Sequence, residues 1–174
     1  MTGCRWRQGF GWGEFLPRSK RALAFAVAAI LTMPASAAEL RAVDGDTLAM
    51  GNARIRLHGI DAPEADQLCN AGGAPWPCGA LATQALAALI AGKPVTCNRV
   101  DRDRYGRMVA TCTAGGADIG AAMVEAGWAM AYRRYSCAYV AHEDRARAAR
   151  VGIWQGDFTP PWAYRKPGAD GGKC

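Results

Sequence analysis

Three short fragments carry residue types that together suit phosphodiester chemistry: Asp44-Gly45-Asp46-Thr47, Ile55-Arg56-Leu57-His58-Gly59-Ile60-Asp61-Ala62-Pro63-Glu64 and Asp103-Arg104-Tyr105-Gly106-Arg107. Hydrolysis of a phosphodiester needs a nucleophilic water, neutralisation of charge on the phosphoryl oxygens and help for the leaving oxygen. Hard cations such as calcium take carboxylate and carbonyl oxygens. Asp46 and Asp61, with one backbone carbonyl and waters, are therefore candidate ligands of an open calcium site, in which the ion acts as a Lewis acid. Glu64 follows Asp61 by three residues, after Pro63 has restricted the backbone, and suits a base or a group that orients the water. Arg56 and Arg107 are candidates for charge-assisted, bidentate bonds to phosphate that strengthen as charge develops in the transition state. Singly, each fragment reads as an ordinary turn or loop. In this order, between residues 44 and 107, they point to a calcium-dependent nuclease.

The elements that must position these groups are short. Apolar alternation over 40–43 and 47–50 flanks an Asp-Gly turn, and Gly51-Asn52 leads into a third strand over 53–60. A period of two puts Ile55 and Leu57 on one face of that strand and Arg54, Arg56 and His58 on the other. An Ala/Leu-dense helix over 79–91 ends at Gly92. Strands over 94–100 and 107–113 form a hairpin whose turn carries the third fragment. Asp118 caps a helix over 119–126, and a last helix covers about 139–150. After Gly156 the composition turns Pro-, Gly- and Lys-rich and reads as a tail, 157–174, with little structure of its own. Five strands and three helices suggest a small barrel with helices packed on it, an architecture that often binds oligonucleotides.

Residues 1–37 read as a secretory signal peptide: five basic residues against the single acid Glu14, an apolar run of 12 residues from Ala22 to Met33, then Pro34-Ala35-Ser36-Ala37. The run is short of the roughly 20 residues that span a bilayer; the rival reading is an uncleaved amphipathic anchor. Without this segment the 21 basic and 15 acidic residues become 21−5=16 and 15−1=14, a net charge of only +2. Most of the apparent basicity is thus a targeting feature. The remaining basic residues are mostly arginines, suited to phosphate if clustered locally. Six cysteines remain after Cys4, an even count that suits an oxidising compartment. Cys97 and Cys112 lie equally far from the hairpin turn at Arg104 and Tyr105, and Cys69 and Cys78 flank a Gly/Pro-rich loop, so both pairs are disulfide candidates. Cys137 and Cys174 are left by elimination. A zinc site lacks any Cys-x-x-Cys spacing.

The joint pattern resembles the staphylococcal nuclease (thermonuclease) family over roughly 40–154, the body of a domain set at 38–156. The resemblance implies an α+β, mainly β, five-stranded OB-fold barrel with three helices, and calcium-dependent endonucleolytic cleavage of DNA and RNA. It further implies that Asp46, Asp61 and the Ala62 carbonyl hold Ca2+, that Arg56, Arg107 and Glu64 are catalytic, and that Asp44 lies close to the metal. Arg104 and Tyr105 match positions that contact the terminal phosphate and nucleotide, and the stacking tyrosine corresponds to Tyr132 or Tyr135. Two departures stand out: Ala62 replaces a threonine, which keeps the carbonyl and loses a hydroxyl, and Arg104 replaces a lysine. The expected protein is a periplasmic or secreted monomer that acts on DNA and/or RNA and has no stable membrane association after signal cleavage. A noncatalytic nucleic-acid-binding or protein-interaction module on the same barrel is the rival, and it should lack one or more of the five key residues. A disulfide-rich structural domain is a third reading. His58 reads as packing, the charged run around His142 as a solvated helix face, and Trp128, Trp154 and Trp162 as packing groups.

Overall fold

The computed structural model describes residues 39–174, so the expected signal peptide lies outside the described residues. Strands β1 (Leu40–Asp44), β2 (Thr47–Met50) and β3 (Ala53–Leu57) form a meander, followed by the two-residue β4 (Ile60–Asp61). A small hairpin, β5 (Cys69–Ala71) and β6 (Ala74–Trp76), leads into α1 (Cys78–Ile90). Then come β7 (Val95–Arg102), β8 (Met108–Ala114), β9 (Ala117–Asp118), α2 (Ile119–Glu125), β10 (Met130–Ala131), α3 (Val140–Ala149), a 3-10 turn (Gly152–Gln155) and α4 (Pro161–Arg165).

The main sheet runs β1-β2-β3-β8-β7 with β9 added beside β8. Its only parallel pair among the described residues is β3 with β8. Register shifts at Ala42/Asp44 and Arg99/Asp101 bend the strands, as extra residues in an antiparallel ladder do. The result is an α+β, mainly β, half-barrel of five long strands in the OB-fold order. Its concave face buries Leu48, Ile55, Leu57 and Ala110 against Leu86, Ile119 and Met123 of α1 and α2. Leu48, Leu86 and Met123 are 0% exposed, and each such side chain contributes about 1.5–3 kcal/mol through burial. Helix α1 buries Cys78, Ala82, Leu86 and Ile90, a spacing of four that lines one face, with Leu86 and Ile90 in this core. The Asp118 side chain caps α2 by accepting the Ala121 N–H at 2.9 Å.

Among the described residues, three disulfides brace the fold. Cys69–Cys78 ties the small hairpin to the start of α1, and Cys97–Cys112 joins directly opposed residues of β7 and β8, whose Cα atoms lie 4.1 Å apart. Cys137–Cys174 joins the loop before α3 to the last residue. Among the described residues no helix is long and apolar enough to cross a membrane.

Three expectations need correction. The third strand does not run to Ile60: Gly59 adopts φ +76°, and a Cβ there would fall 2.8 Å from Ser136 Cβ. Only glycine makes this turn freely, and beyond it β4 leaves the main sheet to pair with β10, Asp61 opposite Met130. The charged run of α3 is not wholly a solvated face. Glu143 is 0% exposed; its carboxylate accepts the Ala131 N–H at 3.2 Å and pairs with Arg133 at 2.5 Å. Finally, residues 157–174 are not an unstructured tail, because they contain α4, a fourth helix beyond the expected three, and pack back on the domain through Pro161 and Trp162.

Candidate active site

The acidic turn is built by close approach. A Cβ at Gly45 would lie 2.6 Å from Ala62 Cβ and 2.9 Å from Ala82 Cβ, so the absence of a side chain lets the β1–β2 turn rest on the Asp61–Ala62 backbone and on α1. The turn is closed by Asp44, whose Oδ1 accepts the Asp46 N–H at 3.0 Å. Pairing of Thr47 with Arg56 across β2 and β3 then brings Asp46 beside the Arg56 side chain. Arg56 Nη1 donates to Asp46 Oδ1 at 2.7 Å and Nη2 to Asp61 Oδ1 at 2.5 Å. Asp46 Oδ2 accepts the Ala62 N–H at 3.0 Å. Asp46 and Asp61, 2% and 0% exposed, are therefore held together by one guanidinium although one lies in the β1–β2 turn and the other on β4.

Electrostatics follow from that crowding. Burial pushes the Asp46 carboxyl above its ordinary pKa; Arg56 opposes the rise and Asp61 adds to it. Asp44 is also raised, by burial first and then by Asp46. Burial works against the charged form of Arg56, but Asp46 and Asp61 outweigh it and hold the guanidinium above its usual value.

Glu64 stands at the rim, its side chain 33% exposed. Its partner is Arg165 of α4: Nη1 donates to Glu64 Oε1 at 2.7 Å, while Nη2 donates to Asp61 Oδ1 and Oδ2 at 3.0 and 2.7 Å. The third fragment forms the opposite wall as the β7–β8 turn. Asp103 organises it, Oδ1 accepting the Tyr105 and Arg107 N–H groups and Oδ2 the Arg107 Nε–H at 2.6 Å. Against a burial penalty, these bonds, led by that from the Arg107 side chain, hold the Asp103 carboxyl below its ordinary range. Arg107 is thus paired within its own turn and is not bonded to the acid cluster. Tyr105 is 72% exposed, with Arg104 and Arg107 guanidiniums 5.1 and 5.7 Å from its ring centre. Tyr132 stacks on Trp162 at 5.5 Å and 11°, and Tyr135 meets Tyr132 edge-on. All of these line one cavity of about 1180 Å³, together with Asp44, Asp46, Arg56 and Ala62; Asp61 lies buried beneath it.

Residues 54–156 match the family described as staphylococcal nuclease homologue. The chain belongs to the staphylococcal nuclease family. Among curated relatives, a micrococcal nuclease of Shigella flexneri is 34% identical over 168 residues, covering 84% of this chain and 91% of the relative. An uncharacterized endonuclease of Escherichia coli O157:H7 is 37% identical, covering 72% and 82%. The succinoglycan biosynthesis protein ExoI of Rhizobium meliloti (strain 1021) is 35% identical, covering 79% and 77%. The chain is accordingly a nuclease, a phosphodiesterase of the endonuclease kind.

The donor set of this nuclease suits a hard cation. Asp44, Asp46, Asp61 and Glu64 supply four carboxylates against the two guanidiniums of Arg56 and Arg165. Among the described residues no three His, Cys, Asp or Glu side chains gather as a ready metal cage. A cation here would rest on two carboxylates, a backbone oxygen and solvent, which is the open arrangement that hard divalent ions accept. Sequence reading missed Arg165; Trp162, read as a packing group, does pack, against the second core cluster and on Tyr132. The only local signal was an aromatic and an arginine after Pro160-Pro161, inside a stretch whose composition reads as tail.

Proposed function

We propose that this nuclease is an exported, calcium-dependent endonuclease that hydrolyses phosphodiester bonds of DNA and/or RNA, working as a monomer in the periplasm or outside the cell. The observation that carries the proposal is the Arg56 fork, which joins Asp46 and Asp61 at the floor of a cavity whose rim bears Glu64, Arg104, Tyr105, Arg107 and Tyr132. Asp46, Asp61 and the Ala62 carbonyl would hold calcium, which when bound supplies Lewis-acid polarisation of a phosphoryl oxygen. Arg56 and Arg107 donate to the phosphoryl oxygens and gain strength as charge builds there. Glu64 orients the attacking water and accepts its proton. Arg104 holds a neighbouring phosphate, and Tyr105 and Tyr132 offer aromatic faces to the nucleotide. Export is supported by three disulfides, which persist in oxidising compartments; with the N-terminal segment removed, no stable membrane association is expected.

The test is digestion of single-stranded DNA by the purified protein in calcium and again in excess chelator. Cleavage only in calcium is expected. Equal cleavage in both would remove the metal from the proposal, and binding without cleavage in either would favour a noncatalytic nucleic-acid-binding module.

A further inference from the structure

We propose that Arg165 is a positioning residue of this site: from the C-terminal segment it fixes the Glu64 carboxylate in its working orientation and shares Asp61 with bound calcium. The inference rests on the nuclease reading above. The guanidinium is planar and forked, and its two arms serve two carboxylates: Nη1 lies 2.7 Å from Glu64 Oε1, Nη2 3.0 and 2.7 Å from the Asp61 oxygens. Among the described residues Arg165 is the one ion-pair partner of Glu64. Glu64 lies in the loop after β4 and needs such a partner, because a carboxylate 33% exposed on a long stem otherwise samples several rotamers.

What makes Arg165 more than a chance surface partner is how its segment is fastened. Asn70 and Asp157 exchange two backbone hydrogen bonds of 2.8 and 2.7 Å. Gln67, fully buried, donates from Nε2 to the Thr159 carbonyl at 2.7 Å while its Oε1 accepts the Glu64 N–H at 3.2 Å. One side chain thus ties the Glu64 loop directly to the strand of chain that delivers Arg165. Trp162 stacks on Tyr132, the Arg134 N–H donates to the Gly171 carbonyl at 2.8 Å, and Cys174 is bonded to Cys137. An isolated surface ion pair is weak because both side chains must be ordered to form it. Here the backbone on both sides of Arg165 is already fixed, so the fork is preorganised. The two arms donate from different nitrogens, Nη1 to Glu64 and Nη2 to Asp61.

Arg165→Ala and Arg165→Lys, made in the full protein with its disulfides intact, test this. Two readouts are needed: kcat and KM on single-stranded DNA, and calcium affinity by titration calorimetry without substrate. Arg165→Ala should lower kcat by about 10- to 100-fold, as loss of a partner that orients a reacting group does, with KM little changed. It should also bind calcium more tightly, since Asp61 loses a competing cation. Arg165→Lys, able to serve one carboxylate at a time, should recover part of kcat. Unchanged kcat in Arg165→Ala would overturn the inference, and a raised kcat would recast Arg165 as an obstruction. Equal losses in both variants with a lowered Tm and unaltered calcium affinity would reduce it to a structural tie. If the unaltered protein neither cleaves DNA nor binds calcium, the proposed calcium-dependent function itself falls, an outcome distinct from these.

Discussion

Replacing Arg56 with alanine separates its two roles. In the folded protein Arg56 is the one side chain ion-paired with Asp46 among the described residues, whereas Asp61 keeps Arg165. The substitution therefore leaves one nearly fully buried carboxylate without a counter-charge. Breaking a buried ion pair typically costs about 3–5 kcal/mol. The Arg56 side chain is 18% exposed, and this residual solvation sets the loss near the lower end, about 3 kcal/mol. At about 2–4 °C per kcal/mol for a domain of this size, Tm in chelator should fall by about 6–12 °C. Asp46 already has a raised pKa from burial, and without Arg56 it rises further. A raised carboxyl binds protons more tightly in the folded state, so the deficit should be smallest in acid and deepen as pH rises through that pKa. Calcium supplies positive charge to the same carboxylates and should restore most of Tm. It cannot replace a phosphate donor, so kcat/KM should stay down by about 10²–10³. Thermal melts across pH, with calcium and with chelator, measure the first effect, and steady-state kinetics the second. A Tm loss below about 2 °C in chelator, or a loss that calcium leaves untouched in a variant that still binds it, would refute the reasoning.

Glu64→Gln should lower kcat by about 10²–10⁴ if Glu64 works as the base, with little change in Tm, because its carboxylate is 33% exposed and pairs of that kind stabilise weakly; near-normal kcat would remove Glu64 from the chemistry. Tyr139 is pushed up to about 12 by burial, then by Asp118, which accepts from its hydroxyl at 3.2 Å. Its unfolded pKa is about 10, so the contribution is full below about pH 10 and lost as pH rises through about 12. Tyr139→Phe should remove that alkaline limb from the stability profile, and identical limbs in both proteins would count against it. An absorbance titration should likewise find a late-ionising tyrosine that the variant lacks.

The local geometry of the candidate site was legible where its determinants are local. Alternation in 53–57 reports which side of β3 faces the core, and Ile55 and Leu57 are buried there while Arg56 points into the cavity. Asp103 and Gly106 specify a turn through their own hydrogen bonds and a φ of +81°, and Asp118 announces a helix start by capping it. Such signals depend on backbone angles and on neighbours a few residues away, so they survive in the linear chain. Other features depend on which distant segments meet. A side chain at Gly59 would meet Ser136 and Tyr139, far along the chain, and Glu143 is buried where it accepts from Ala131 of β10 and pairs with Arg133. Arg165 reaches Asp61 and Glu64 across separations of 104 and 101 residues. The sequence alone thus determined the acids, the arginines and the short elements that carry them. Only the tertiary structure decided that one guanidinium joins Asp46 to Asp61 and that a second, from what reads as a tail, joins Asp61 to Glu64, because long-range packing, and not local propensity, sets which charges share a buried site.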